Sequence, residues 1–292
     1  MAQLEIDDLS NAFFQSWEKL QPFTLDDLER YYQTAPEVFN HYFQQHCQRT
    51  PERLGAALER YPEQIATMKR AAELLPSLIE EVYERLSNLM GLEMTIKTRL
   101  LVGCFGSNAY VTHDGTLHFA LETMPDNPDY LTVLVAHEMA HAFHFEMLGN
   151  AGFDFSKMAG DGYTSIYLEG VATVVSELVK PGLSEKVYFS FDETSEAWLT
   201  FFKEHFIEVK KAIQHDLKHW KMEEEREWFR LRGGKKYGYN RLGYLLGRVF
   251  VKQLIQKTSL KETMIYWARH DLKQEIEDWM DEASSPITSG GA

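Results

Sequence analysis

Asn127-Pro128-Asp-Tyr-Leu-Thr-Val-Leu-Val-Ala-His137-Glu138-Met139-Ala140-His141 is the stretch on which the reading of this chain turns. Asn127 followed by Pro128 is a helix-start signal, a capping side chain with proline in the first turn, and Gly149 stands where a helix would stop. From Tyr130 to Ala136 the run is apolar on all sides, as in a helix that crosses a core. His137 and His141 are four apart and so lie one turn above each other on a single face, where both imidazoles can reach one metal ion. Glu138 is rotated by about 100° from His137, which leaves its carboxylate beside the ion to hold water instead of ligating. Burying two histidines and a glutamate without a metal would demand three separate sets of hydrogen-bond partners. The pattern therefore points to a zinc ion with an open, water-carrying position.

Such a site has three protein ligands, so a third must come from elsewhere. His144 follows on the same helix, but three adjacent ligands from one straight helix fit a tetrahedron poorly. The metzincin pattern is excluded, because it needs Gly and His where this chain has His144 and Met147. Thr164-Ser-Ile-Tyr-Leu-Glu169-Gly-Val-Ala-Thr-Val-Val-Ser-Glu177-Leu178 reads as a second apolar helix. A lone carboxylate near its middle is costly unless it meets a cation. Glu169 is favoured over Glu177 because its neighbours are apolar or small, and Gly170 and Ala172 would let this helix approach the first closely.

Outside these helices the chain bounds its own possibilities. Its 292 residues, with 44% hydrophobic and 13% aromatic content, are ample for a core. A net charge of −14 disfavours nucleic acid and anionic membrane as partners, since phosphate binding needs a basic surface. The N-terminal residues lack the basic start and apolar run of a signal peptide, and no segment reaches the roughly 18 apolar residues of a membrane span. A cytoplasmic protein is expected. Cys47 and Cys104 are too few for a disulfide framework, and nothing in the sequence places them together.

Residues 1–94 are expected to be entirely helical, with Pro22, Pro36, Pro51, Pro62 and Pro76 punctuating periodic segments such as 25–47 and 64–90. Residues 95–122 change character. Thr95 to Phe105 suits a strand, and Asn108 to His113, an Asp114-Gly115 turn, then Thr116 to Glu122 read as a hairpin. An exposed edge strand there could take up an extended peptide by strand addition. From 185 onward helices return. Glu193 to Trp220 is expected to form one long helix, Lys221 to Arg232 is a charged stretch, and Gly233 to Asn240 is a glycine-rich loop. Ser259 to Glu262 is a capping box opening another helix.

These segments resemble the gluzincins, the thermolysin-like zinc metallopeptidases, in which an HExxH helix is joined by a glutamate from a later helix. The anchors are Asn108-Ala109-Tyr110, His137-Glu138-Met139-Ala140-His141 and Leu168-Glu169-Gly170-Val171-Ala172. With Gly243-Tyr244-Leu-Leu-Gly247 added, the chain is also similar to the YjaZ-like group of predicted bacterial zinc-dependent proteases. The resemblance implies His137, His141 and Glu169 as ligands of one Zn2+ per chain and Glu138 as general base. It also implies that Asn108, Ala109 and Tyr110 hold the backbone of a peptide or protein substrate. The sequence departs from the aminopeptidase branch in lacking its Gly-x-Met-Glu-Asn segment, and from thermolysin in spacing and in showing no calcium loop.

The expected fold is α+β and mostly helical, a small antiparallel sheet packed on the HExxH helix. Its parts would be a helical region 1–94, a zincin core 95–183, a helical region 184–283 completing the cleft, and a polar tail 284–292. The expected chemistry is hydrolysis of a peptide or amide bond. A donor to the oxyanion is then needed. Tyr237, Tyr239 and Tyr244 are the choices, and Tyr244 is preferred because it lies between two glycines on a helix and because the resemblance supports it. The alternative is a non-catalytic peptide-binding or partner-binding protein, with zinc structural or absent.

Overall fold

The computed structural model describes residues 3–282 except 113, 159, 192, 193, 195, 231 and 232. The expected tail 284–292 and the residues His113, Glu193 and Arg232 that bounded three expected segments lie outside the described residues. The chain forms two compact units, Met1–Met139 and Ala140–Ala292, with the division falling inside one helix.

In the first unit, Leu4–Asp8 is strand β1, followed by helices α1 (Ser10–Lys19), α2 (Leu25–Tyr32), α3 (Pro36–Gln45) and α4 (Pro51–Met90). Strands β2 (Ile96–Leu101), β3 (Ala109–Val111) and β4 (Leu117–Ala120) come next, and then α5 (Pro128–Asn150) begins. The sheet order is β1-β2-β4-β3. β1 and β4 both run parallel to β2, while β3 and β4 form the expected antiparallel hairpin. Gly115 takes the positive φ of 80° that the turn requires. The sheet is therefore mixed and not antiparallel throughout. The parallel pairs are β2 with β4 and β2 with β1, and β1 lies in the region expected to be wholly helical. Leu-Glu-Ile-Asp-Asp alternates apolar and acidic residues with the period of a strand, but five residues form one only where β2 offers its edge.

Helix α4 runs for 40 residues through Pro76, which lies inside the expected segment 64–90, and also through Pro62, before which that segment was not expected to extend. Thr50 caps its start by accepting from Arg53 N at 3.3 Å, and Gly91 ends it with φ 63°. An interior proline costs about 3 kcal/mol. Against the two prolines stands a stripe of ten buried side chains from Leu54 to Met90 at spacings of three, four and once seven. The large ones contribute about 1.5–3 kcal/mol each, so packing wins. Both prolines lie off that stripe, Pro62 on the exposed side, where a carbonyl without its partner can turn to water.

Between β2 and β3, the loop Val102–Gly106 is held from below by buried polar groups. Glu122 is 2% exposed and accepts from Gly103 N at 2.8 Å and Phe105 N at 3.0 Å. Tyr42 Oη donates to Glu122 and accepts from Cys104 N and Gly106 N, both at 2.8 Å.

The second unit takes the end of α5 and then α6 (Gly162–Val179), α7 (Val187–Ser190), α8 (Glu196–Glu204) and α9 (Phe206–Leu217). It continues with α10 (Met222–Phe229), α11 (Leu242–Lys257), α12 (Leu260–Met264), α13 (Tyr266–Arg269) and α14 (Leu272–Asp281). The single helix expected over 193–220 is broken at His205. Its ring stacks on Phe201 at 4.5 Å and meets Glu208 Oε2 at 3.2 Å, and the turn lets Phe202 and Phe206 pack edge to face. The charged stretch carries helix α10. Ser259 opens the short α12 by accepting from Glu262 N, as its capping pattern predicts. At the heart of this unit α6 and α11 lie together, and none of the described helices is long and apolar enough to cross a membrane.

Candidate metal centre

Helix α5 starts where the sequence says it should: Asn127 Oδ1 accepts from Asp129 N at 2.9 Å and Tyr130 N at 3.3 Å. Leu131 through His137 are all buried, so this helix has no solvated face along that run. The covering first opens at Glu138 and again at His141, both half-buried. Glu138 and His141 thus stand where water can reach them, while His137 is enclosed.

His137, His141 and Glu169 each offer one ligand atom, and these atoms lie within 4.8 Å of one another. Between His141 Nε2 and Glu169 Oε2 the distance is 3.7 Å, with side-chain exposures of 12% and 24%. Ligand atoms on a tetrahedral zinc, each at about 2.0–2.2 Å from the ion, are separated by about 3.4 Å. Two imidazoles and one carboxylate at this spacing fit such an ion and leave its fourth position for water. Among the described residues, this is the group of His, Cys, Asp and Glu side chains that converges in this way.

The placement of Glu169 follows from helix α6. Asp161 caps its start by accepting from Thr164 N at 2.9 Å. Gly170 then presses directly against Gly247 of α11, so the residue before it is set by a backbone-to-backbone crossing. The rival Glu177 is committed elsewhere. It pairs with Arg248, which also donates to Glu185 at 2.8 Å, and with Lys252 Nζ at 2.6 Å. His144 is buried edge-on to Tyr167 at 5.0 Å, and burial, followed by the charge of His141, pulls its pKa down to about 3.

One neighbour of the site escaped the sequence reading. Glu225 of α10 accepts from Ser165 Oγ at 2.9 Å and pairs with Arg230 at 3.1 Å. Ser165 is one turn before Glu169 on α6. Burial pushes the Glu225 carboxyl upward, and the negative charge of Glu169 adds to the push. Nothing in the run Glu223-Glu224-Glu225 distinguishes the third residue from the others; only the tertiary fold does.

The remaining expected site residues are placed as follows. Tyr244 is half-buried on α11, three residues before Gly247, with Arg241 over its ring at 5.4 Å and Phe229 at 5.8 Å. Tyr237 and Tyr239 flank Phe201 at 5.3 and 5.0 Å. In the first unit, Asn108 precedes the edge strand β3, and its carbonyl accepts from Ala120 N at 2.8 Å. Ala109 pairs with Phe119. Tyr110 is 8% exposed, lies parallel to His118 at 4.7 Å, and sits 4.0 Å from His46, so its side chain belongs to the interior.

A family model described as "Putative zinc dependent peptidase (DUF5700)" matches residues 15–273 of the chain. No curated protein and no solved structure matches it.

Proposed function

The chain belongs to that zinc-peptidase family, and from this membership we propose that it hydrolyses peptide or amide bonds in the gluzincin manner. The observation that carries the reading is the convergence of His137, His141 and Glu169 on one point, with Glu138 next in sequence to His137. A zinc ion held by the two imidazoles and the carboxylate would lower the pKa of a water and polarise the scissile carbonyl. Glu138, next to His137 but turned off its face, takes the proton of the attacking water and hands it to the departing amine. Tyr244, at the α11 end of the α6–α11 crossing, donates a hydrogen bond to the oxygen that becomes negative. Asn108 and Ala109, at the start of the edge strand, offer main-chain groups to an extended peptide.

Glu138→Gln tests this reading. The amide keeps the shape and polarity of the side chain but cannot accept the water's proton. The variant should retain about one zinc per chain and wild-type thermal stability, while cleavage of a quenched-fluorescent peptide library falls by about 10²–10⁴. Wild-type chain loaded with zinc and inert toward the library would instead favour a peptide-binding protein on the same scaffold.

A further inference from the structure

The chain contains two cysteines, and the fold brings them together. Cys47 leaves the end of α3 and is half-buried, whereas Cys104 lies in the loop after β2 with no exposed surface. The two thiols lie within reach of each other's S–H and charge. Cys47 Cβ and Sγ also sit 3.0 Å from the point where a side chain on Gly106 would begin, so the thiol packs directly on the loop backbone. That loop is anchored by Glu122 and Tyr42, and by Arg53, which donates to Cys104 O at 3.0 Å and Phe105 O at 2.6 Å. Cys104 Sγ in turn donates to Arg53 O at 3.4 Å.

We propose that Cys47 and Cys104 are a reversible modification site, a dithiol that small-molecule disulfides convert to an internal disulfide. The roles differ because the surroundings differ. Cys47 is the sulfur that solvent can reach, and a Cys104 S–H able to turn from Arg53 O onto its thiolate, with the Arg53 charge nearby, draws its pKa down. Cys104 is pushed up by holding its proton toward Cys47 and by burial, and stays a thiol until Cys47 has reacted. The attacking group in thiol–disulfide exchange is the thiolate that can be reached, and the resolving group waits beside it.

The chemistry balances in two steps. Cys47 thiolate attacks one sulfur of a disulfide RSSR; its S–S bond breaks, Cys47 gains –SR, and RS⁻ leaves and takes a proton from Cys104. Cys104 thiolate then attacks the Cys47 sulfur and expels the second RS⁻, which is protonated by solvent. Two protein thiols are oxidised by two electrons, and RSSR is reduced to two thiols. The product ties the end of α3 to the loop that leads into β3.

The test treats the reduced full chain with glutathione disulfide under native conditions and reads intact mass with free-thiol titration. The expected product is a monomer lighter by two hydrogens, without thiols or adduct, and dithiothreitol restores the starting mass. Cys104→Ser should stop at the first step and accumulate one glutathione adduct on Cys47. A wild-type chain that keeps both thiols, or that holds a lasting glutathione adduct beside a free Cys104, overturns the proposal. The wild-type mass decides even if the variant fails to fold, and neither readout depends on zinc or on peptide cleavage.

Discussion

Gly170 of α6 and Gly247 of α11 meet backbone to backbone: a methyl group on Gly170 would stand 2.4 Å from Gly247 O, and one on Gly247 would stand 2.3 Å from Ile166 O. Neither obstacle is a side chain that can swing away. The two helices touch one residue after Glu169, so the position of that carboxylate and the closeness of the crossing are the same fact.

Gly247→Ala should therefore act on stability and on metal together. Forcing one methyl between packed backbones costs about 1–3 kcal/mol, visible as a lower urea midpoint. The displaced Glu169 should also weaken zinc binding, read by competition with a chromophoric chelator. A variant with the wild-type urea midpoint and wild-type zinc affinity would show that the close approach is incidental.

Glu169→Ala and Glu177→Ala should separate cleanly. The first removes a ligand, so the chain should lose its zinc on dialysis while the urea midpoint of the metal-free form changes little. Glu177→Ala should keep the metal but destabilise by about 1–3 kcal/mol, because Arg248 and Lys252 lose a half-buried partner. Zinc lost from the second and retained by the first would move the ligand two turns along α6.

Tyr244→Phe should lower kcat by about 10²–10³ with little change in KM, the signature of a hydrogen bond made only in the transition state. Zinc content and melting temperature should stay at wild-type values, since only one hydroxyl is removed. If Tyr244→Phe is silent and Tyr239→Phe disabling, the oxyanion donor comes from the glycine-rich loop.

Glu122 should leave its mark on the pH dependence of stability. Burial raises its carboxyl to about 7, from 4.5, against the pull of the N–H groups it holds. The folded state therefore binds this proton more tightly than the unfolded chain does. That stabilisation is complete below pH 4.5 and is lost as pH rises through 7, amounting to roughly 3 kcal/mol. Glu122→Gln, which cannot ionise, lacks this component. Urea titrations at pH 4 and 8 should show wild type losing that much ground to the variant as pH rises; a constant difference between them would refute the shift.

What could be read from the residues, and what could not, divides along local and non-local physics. The caps at Asn127 and Ser259, the Asp114-Gly115 turn and the apolar run of α5 are written in adjacent residues, and each is found as expected. The choice of Glu169 over Glu177 followed from the small residues beside it, and the histidines converge with Glu169 while Glu177 pairs with Arg248 and Lys252. The misreadings are non-local. Pro62 breaks a helix only until a buried stripe outweighs it. β1 is a strand only because β2 lies open beside it. The approach of Glu225 to α6 and the meeting of Cys47 with Cys104 both depend on partners distant in sequence, which no local pattern encodes.

The pairing of Ile6 with Thr98 across the β1–β2 ladder also bears on the order of assembly. During synthesis β1 emerges first, yet its partner follows only after α1 to α4, and parallel pairing over so long a separation is entropically slow. Until then Leu4 and Ile6 belong to an unpaired apolar segment that any other open edge could capture. Glu5, Asp7 and Asp8 interleave and follow these apolar residues, and in the finished sheet Glu5 and Asp7 meet Lys97 and Arg99 at 3.8 and 3.5 Å. The same acidic residues that pair on the native ladder thus act as gatekeepers for the nascent strand, holding it in solution until β2 arrives.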